Sequence, residues 1–482
     1  MINISIDYDD KRPYFEQVYY GIRNIIENGE LSTNARLPSK RALATHLKIS
    51  QGTVEKAYGQ LLAEGYLFSI ERSGYFVSST FFDNENANEV RRDWNLPDNS
   101  GHIMTYTQTY NAAKNYDYDL RIGDVDESFF PYSIWNRLQR QIISSKKEGL
   151  LKSSEYKGNE ELRNQLAEHL RQHRGIVVDP ECIILGAGME YLMSLLSDIL
   201  GIATFACEDP GNYIMHELLK LQRRKVVPVP IDKDGIIIET LAKSGAGAVL
   251  VKPSHHFPLG NVMSIDRKKE ILSWAKDDHH HKRYIIEDDF DYEFRYSLRP
   301  MPTLKSMDED DCVIYMNSFT RTIAPSLRLA YMILPYDVMD RYETAFEVFS
   351  SSVSEFEQRT LNLFIEGGYY ERHINRMRKE YKKKRECLVQ VLNYADYNSA
   401  PKHLNYHVGM PKAGLSLFLS SNRYTEDELV RRAADVGVRV YPISKYYFDT
   451  KPKQPAVLLG YAGYSEDDLR DAGVLLRTAW AD

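Results

Sequence analysis

A polar, aperiodic stretch across residues 79–116, containing FDNENANEVRRDWNLPDNSG, divides the sequence into two parts with different hydrophobic rhythms. Asn, Asp and Thr crowd there and no apolar face repeats, which is the composition of a linker. The chain must therefore fold as at least two units, as its length of 482 residues also demands. Its apolar fraction of 43% and charged fraction of 27% are those of a globular protein, not a disordered one. No apolar run approaches the roughly 18 residues of a membrane helix, and the start MINISIDYDD lacks the basic-then-apolar order of a secretion signal. A cytoplasmic location is expected.

Before the polar stretch, Phe15, Val18, Tyr19, Ile22, Ile25 and Ile26 recur at three and four, which predicts a helix with one buried face, ended by Gly29. A second short helix follows Pro38 and Ser39 and turns Leu43, Ala44 and Leu47 inward. A third opens at the N-cap Ser50, carries Val54, Ala57, Tyr58, Leu61 and Leu62 on one face and stops before Gly65. Tyr66 to Ile70, a break, and Tyr75 to Val77 then read as strand, tight turn and strand. Three helices and a hairpin in this order make a winged helix-turn-helix.

The formal charge of -7 excludes a protein that coats nucleic acid through broad positive charge, so any DNA contact must be local. A recognition helix needs exposed polar residues in its first turn and flanking cations for phosphates. Ser50, Gln51 and Thr53 fill that turn, and Arg36, Ser39, Lys40, Arg41 and the wing residue Arg72 flank it. The string ARLPSKRALATHLKISQGTVEKAYGQLLAEGYLFSIERSGYFV resembles the GntR family of winged helix-turn-helix regulators almost end to end. Where such proteins often carry Arg after the capping Ser, this chain has Gln51. Arg favours guanine and Gln favours adenine, so the resemblance implies an operator that differs at that base.

After the polar stretch, helical patterns alternate with short apolar runs at residues 182–185, 247–251, 284–287 and 312–316, each leading into a polar or Gly-containing loop. That alternation predicts a parallel sheet covered by helices. The motifs GDVDESFFP, YKGNEELR, ILGAG, EDPGN, KPSHHFPLG, IIEDDFDYEFRY and NSFTRTIAPSLRLAY follow in order from about Asp119. On these the chain is identified as a member of the MocR subfamily, in which a GntR head is joined to a fold-type I aminotransferase domain. The resemblance implies a multidomain chain: a winged helix-turn-helix over residues 1–79, a linker over 80–116, an α/β pyridoxal-phosphate-transferase-like large domain over 117–345, and a C-terminal helix with a small α+β subdomain over 346–482.

The same resemblance assigns a ligand pocket. Backbone amides at Gly186, Ala187 and Gly188 match the helix start that cradles a phosphate, where unpaired N–H groups and the helix dipole favour an anion. Ser318 and Arg328 match further phosphate contacts, and Asp288 matches the carboxylate that keeps the pyridine nitrogen protonated. The position of the lysine that holds the cofactor aldehyde is Arg321, however, and a delocalised, permanently protonated guanidinium cannot form that bond. Asn212 stands where relatives place a ring-stacking Tyr, with Tyr213 adjacent, and Phe290 lacks the hydroxyl that would meet the cofactor phenol oxygen. Leu458 stands at a position where relatives that clamp a carboxylate carry Arg. The resemblance thus implies pyridoxal phosphate as ligand, but not as a Schiff base; another anionic ligand, or none, is equally compatible with these departures.

Cys182, Cys207, Cys312 and Cys387 stand far apart, without the spacing of a zinc site or a disulfide framework, and read as buried thiols. The run DDHHH at residues 277–281 reads as a solvated loop, so no metal site is expected. His255 and His256 fall near the pocket by resemblance, in contact with ligand or behind those that are. The basic cluster from Arg372 to Arg385 reads as the solvated face of a helix. Together these features predict a transcription regulator with no catalytic residue, a small-molecule effector and operator DNA as partner, and the resemblance to fold-type I aminotransferases implies a homodimer, with a head-to-tail pairing as one arrangement. The rival readings are an active aminotransferase with a DNA-binding appendage and a scaffold whose large domain only dimerises.

Overall fold

The computed structural model describes residues 4–8, 10, 12–70, 73–78, 116–145, 149–276, 282–296, 301–393, 405–409 and 413–481. The polar stretch 79–115, the wing residue Arg72 and the loop 277–281 lie outside the described residues. The chain forms two compact units, Met1–Ala113 and Lys114–Asp482.

In the first unit, α1 (Tyr14–Glu27), α2 (Lys40–Leu47) and α3 (Gln51–Ala63) precede a hairpin of β1 (Leu67–Ile70) and β2 (Gly74–Val77). The inward positions are those the spacing marks: Val18, Ile22, Ile26, Leu43, Leu47, Val54, Tyr58 and Leu61 form one buried cluster closed by Leu67 and Val77. Ser39 caps α2 by accepting from the Ala42 amide, and Ser50 caps α3 by accepting from Thr53. Each satisfies an N–H that the helix itself leaves open.

The second unit is built on an eight-stranded sheet. Its strands are β4 (Ile183–Gly186), β5 (Thr204–Asp209), β6 (Lys225–Asp232), β7 (Gly235–Ile236), β8 (Ala248–Val251), β9 (Tyr284–Asp288), β10 (Val313–Ser318) and β11 (Ala330–Ile333), in spatial order β4-β11-β10-β9-β8-β5-β6-β7. A short β3 (Tyr118–Asp119) lies outside this sheet. The core strands β9, β8, β5 and β6 pair in parallel with crossover helices between them, as expected. The sheet is nonetheless mixed, because β11 runs antiparallel between β10 and β4. The connection 319–329 holds a single 3-10 turn and no helix long enough to carry the chain back across the sheet, so β11 returns antiparallel. Buried aliphatic and aromatic clusters cover both faces.

Towards the C-terminus, the long helix Tyr369–Asn393 leads into a four-stranded sheet of β12 (Tyr406–Val408), β13 (Ser416–Ser421), β15 (Tyr441–Pro442) and β16 (Ala456–Gly460), with the short β14 (Val438–Arg439) pairing with β3. Helices Glu426–Asp435 and Glu466–Ala479 pack over it around Leu429, Val457, Leu459, Leu469 and Trp480. This is the expected small α+β lobe. The parallel strands β4, β5, β8, β9 and β10 all end on one edge of the large sheet, at Gly186, Asp209, Val251, Asp288 and Ser318. In open α/β sheets that edge is where ligands bind.

Candidate functional site

On the head, Arg36, Ser39, Lys40, Arg41 and Gln51 border one shallow groove together with Gly74 and Tyr75 of the hairpin. Arg36, Arg41 and Gln51 are exposed. Lys40 is held in an ion pair with Glu55 at 2.5 Å and lies over the Tyr75 ring. Ser50 and Thr53 face each other, their hydroxyl oxygens 2.8 Å apart, with Ser50 also capping the helix. Of the expected first-turn residues, Gln51 is therefore the one whose side chain is wholly free to reach outward.

In the second unit, the C-terminal sheet edge opens into a cavity of about 320 Å³, lined by Asn212, Tyr213, Asp288, Phe290, Ser318, Arg321 and Arg328 among others. This volume is near the lower end of the roughly 300–1,000 Å³ of small-molecule sites. Sequence motifs some 100 residues apart converge there because β5, β8, β9 and β10 end side by side. The amide cradle is displaced from its expected place. The Ala187 amide donates to Ser352 Oγ and that of Gly188 to the Gly186 carbonyl, so neither is open. The helix Met189–Leu200 closes its first turn with the bond from Leu192 to Gly188, and it is Met189 and Glu190 that line the cavity.

The cavity holds two kinds of cation. Arg328 pairs with Glu190 at 2.6 Å, directly over the helix start. Lys252, the residue after β8, is buried and pairs with Asp288 at 3.4 Å. Arg321 and Lys445 have no carboxylate partner within ion-pair distance among the described residues; Arg321 lies 4.9 Å from the Phe290 ring centroid and Lys445 lies 4.8 Å from that of Tyr213. Lys252 stands 4.6 Å from the same Phe290 ring, so one aromatic side chain serves two cations, a contact worth about 0.5–2 kcal/mol each. Glycines make room: Gly123, at φ +118°, faces the Arg321 guanidinium at 3.2 Å from where a Cβ would stand, and a Cβ on Gly188 would strike Arg328. The Ser318 hydroxyl is buried and has no hydrogen-bond partner among the described residues.

These residues do not fit pyridoxal phosphate held as an aminotransferase holds it. Arg321 offers no amine for the aldehyde. Asp288, which should face a protonated ring nitrogen, already faces the Lys252 ammonium and accepts from the Phe290 amide at 3.2 Å. Asn212 does not stack; it caps the helix Tyr213–Leu221 by accepting from Met215. What remains in the cavity, among the described residues, are the Arg321 and Lys445 charges with no carboxylate within ion-pair distance, the Ser318 hydroxyl and a helix N-terminus.

Comparison with known proteins bears on both units. The description of bacterial regulatory proteins of the gntR family matches residues 15–77, and that of aminotransferase class I and II matches residues 119–472. The chain is 30% identical over 483 residues to the probable rhizopine catabolism regulatory protein MocR of Rhizobium meliloti, covering 99% of this chain and 96% of the relative. It belongs to the MocR subfamily of GntR-type transcription regulators. Another relative, 35% identical over 97% of both chains, is the HTH-type transcriptional regulator YdeL of Bacillus subtilis. Among solved structures, an archaeal alanine:glyoxylate aminotransferase matches 79% of this chain and 95% of its own with a TM-score of 0.67 and 19% identity, a likeness of fold.

Within this MocR-type fold the remaining candidates separate clearly. His255 lines the cavity and burial pushes its pKa down to about 4, so it is neutral. His256 does not face the cavity; its Nε2 meets the Pro210 carbonyl at 3.0 Å and fixes the EDPGN loop. Leu458 is fully buried in β16 between Phe418 and Tyr441 and does not border the cavity. The basic helix is only partly solvated. Lys384 is buried against Asp126 at 2.5 Å and the Ala462 carbonyl, and Arg385 is buried over Tyr296. All four cysteines are buried and free. Lys252 is the pocket residue that sequence reasoning passed over, although it opens the motif KPSHHFPLG directly after a strand.

Proposed function

We propose that the aminotransferase-like unit of this regulator is a sensor and not an enzyme, binding a small phosphorylated or carboxylated molecule without a covalent bond. The observation that carries this reading is Arg321, which lines the cavity at the lysine position with no carboxylate within ion-pair distance among the described residues. Arg321 and Lys445 supply charge, Ser318 a hydrogen bond, and the amides at Met189 and Glu190 the dipole end of a helix. Arg328 joins them when the anion displaces Glu190. Ligands of this chemistry include pyridoxal phosphate itself, amino acids and related anionic metabolites.

The domain limits proposed for this machine are residues 1–79 for the head, 80–116 for the linker, 117–345 for the large domain and 346–482 for the C-terminal lobe. The protein works in the cytoplasm as a homodimer, head-to-tail, so that two heads address paired half-sites. Gln51 reads a base edge, and Arg36 and Arg41, together with Arg72, hold phosphates. The effector acts by binding one arrangement of the heads more tightly than another.

The test is thermal unfolding and operator binding of the purified protein with inorganic phosphate, pyridoxal phosphate and a panel of amino acids. At least one of these ligands raises the melting temperature and shifts operator affinity, and Arg321→Ala abolishes both effects. An absorption band near the visible edge that borohydride fixes to the protein, or transamination above background, overturns the reading.

A further inference from the structure

We infer that His169, His173 and Glu371 form a binding site for a divalent transition-metal ion of the zinc or nickel class. His169 and His173 stand at i and i+4 on the helix Glu160–Arg174 and so share one face. Glu371 comes from the first turn of the helix Tyr369–Asn393, which meets that face. One donor atom from each residue lies within 4.8 Å of the other two, and no other such group occurs among the described residues. His169 Nδ1 is 3.3 Å from Glu371 Oε1, and His173 Nε2 is 4.0 Å from the same oxygen. Donors at about 2.0–2.1 Å from a tetrahedral ion stand about 3.4 Å apart, so a small rotation of the half-exposed His173 completes the set.

The hydrogen bonding around His169 points the same way. The residue is 8% exposed, and its Nε2 lies 3.4 Å from the Tyr292 hydroxyl. With Nε2–H directed to that oxygen, the usual support for a metal-binding imidazole, Nδ1 presents a lone pair to the carboxylate. Among the described residues His169 Nδ1 and Glu371 Oε2 are both buried without a hydrogen-bond partner. The 3.3 Å gap between Nδ1 and Oε1 is closed either by a proton on the imidazole or by a metal ion, and only the metal ion also engages His173. Arg295 and Arg378 lie near His173 and weigh against an ion that relies on charge alone. With a single carboxylate the set suits metals that favour imidazole rather than calcium or magnesium. His173 and Glu371 are partly exposed, which leaves a path from solvent and space for a water as fourth ligand.

The site lies against segments that border the ligand cavity. Tyr292 lies two residues beyond Phe290, and His373, on the same helix as Glu371, meets the Thr322 carbonyl next to Arg321 at 2.9 Å. An ion there fixes the helix Tyr369–Asn393 against the segment that carries Asp288 and Phe290.

The experiment uses the full chain, stripped with a chelator and titrated with zinc chloride or nickel chloride while thermal unfolding is followed. Cobalt chloride serves as a spectroscopic probe. One equivalent binds, the melting temperature rises by several degrees, and cobalt gives a visible absorption band. His173→Gln and Glu371→Gln weaken binding at least tenfold while operator binding in the absence of metal is kept. Because residues 279–281 are three consecutive histidines, a variant with all three changed to serine serves as control and retains the effect. Absence of any zinc-dependent shift, undiminished binding by His173→Gln, or loss only in the 279–281 variant overturns the inference.

Discussion

Arg41 on the head stands exposed beside Gln51, whereas Lys252 in the second unit is buried against Asp288. The two cations mark two ways of using charge. The head keeps its stability in an apolar cluster and carries Arg36, Arg41 and Gln51 on the outside, where water already solvates them. The pocket has drawn charges inside, so each must be matched by protein or by ligand. A change on the head therefore alters what the protein binds, and a change in the pocket alters whether the unit is stable as well.

The largest effect that follows is on Lys252. Lys252→Met leaves the carboxylate of Asp288, only 3% exposed, without its cation and costs about 3–5 kcal/mol in denaturant unfolding. Arg41→Ala stays within about 0.5 kcal/mol of the parent. The four tryptophans, at positions 94, 135, 274 and 480, all lie outside the head, so their fluorescence follows the second unit and the linker. A cost under about 1 kcal/mol for Lys252→Met breaks the contrast, because the pair is then no more than a surface contact.

A second way to separate the units is acid. His255, His256 and His373 have pKa values pushed down by burial to about 4, 3 and 4 from an ordinary 6.5. Below pH 6.5 the unfolded chain takes up protons that the folded chain refuses. The stabilisation is present in full above pH 6.5 and is lost as pH falls from 6.5 towards 4, by up to about 1.4 kcal/mol per unit for each histidine. The one histidine of the head, His46, is exposed. Tryptophan-detected stability at pH 5.5 should fall clearly below that at pH 7.5; equal values remove the buried neutral imidazoles from the account.

The smallest effect concerns DNA. Gln51→Ala lowers operator affinity by about 1–3 kcal/mol and relaxes preference at one base pair. Arg36→Ala and Arg41→Ala weaken binding to all sequences alike, each reducing the salt-dependence slope by about one. Gel-shift titrations at several salt concentrations distinguish the two behaviours, and a salt-slope change for Gln51→Ala assigns it to the backbone instead.

The head was legible from spacing alone, since Val18, Ile22, Val54 and Leu61 are neighbours on helical faces and need no distant partner. In the second unit the order of motifs located Asp288, Ser318, Arg321 and Arg328, because strand ends carry them to one edge. Three features were not legible. The antiparallel β11 depends on a loop length that looks like any other. That the amides of Ala187 and Gly188 are already bonded depends on Ser352, far along the chain, and on a local turn to Gly186. Lys252 meets Asp288 only because β8 and β9 end together, a pairing that no local pattern encodes. The same holds for His169 and Glu371, which lie on separate helices some 200 residues apart.

The Lys252–Asp288 pair also couples two positions at the ends of neighbouring strands. Each buried charge is held by the other, so a change at either position alone strands its partner. In chains that keep this fold, positions 252 and 288 are therefore expected to change together, and a swap of both to apolar residues of similar volume is tolerated where either single swap is not.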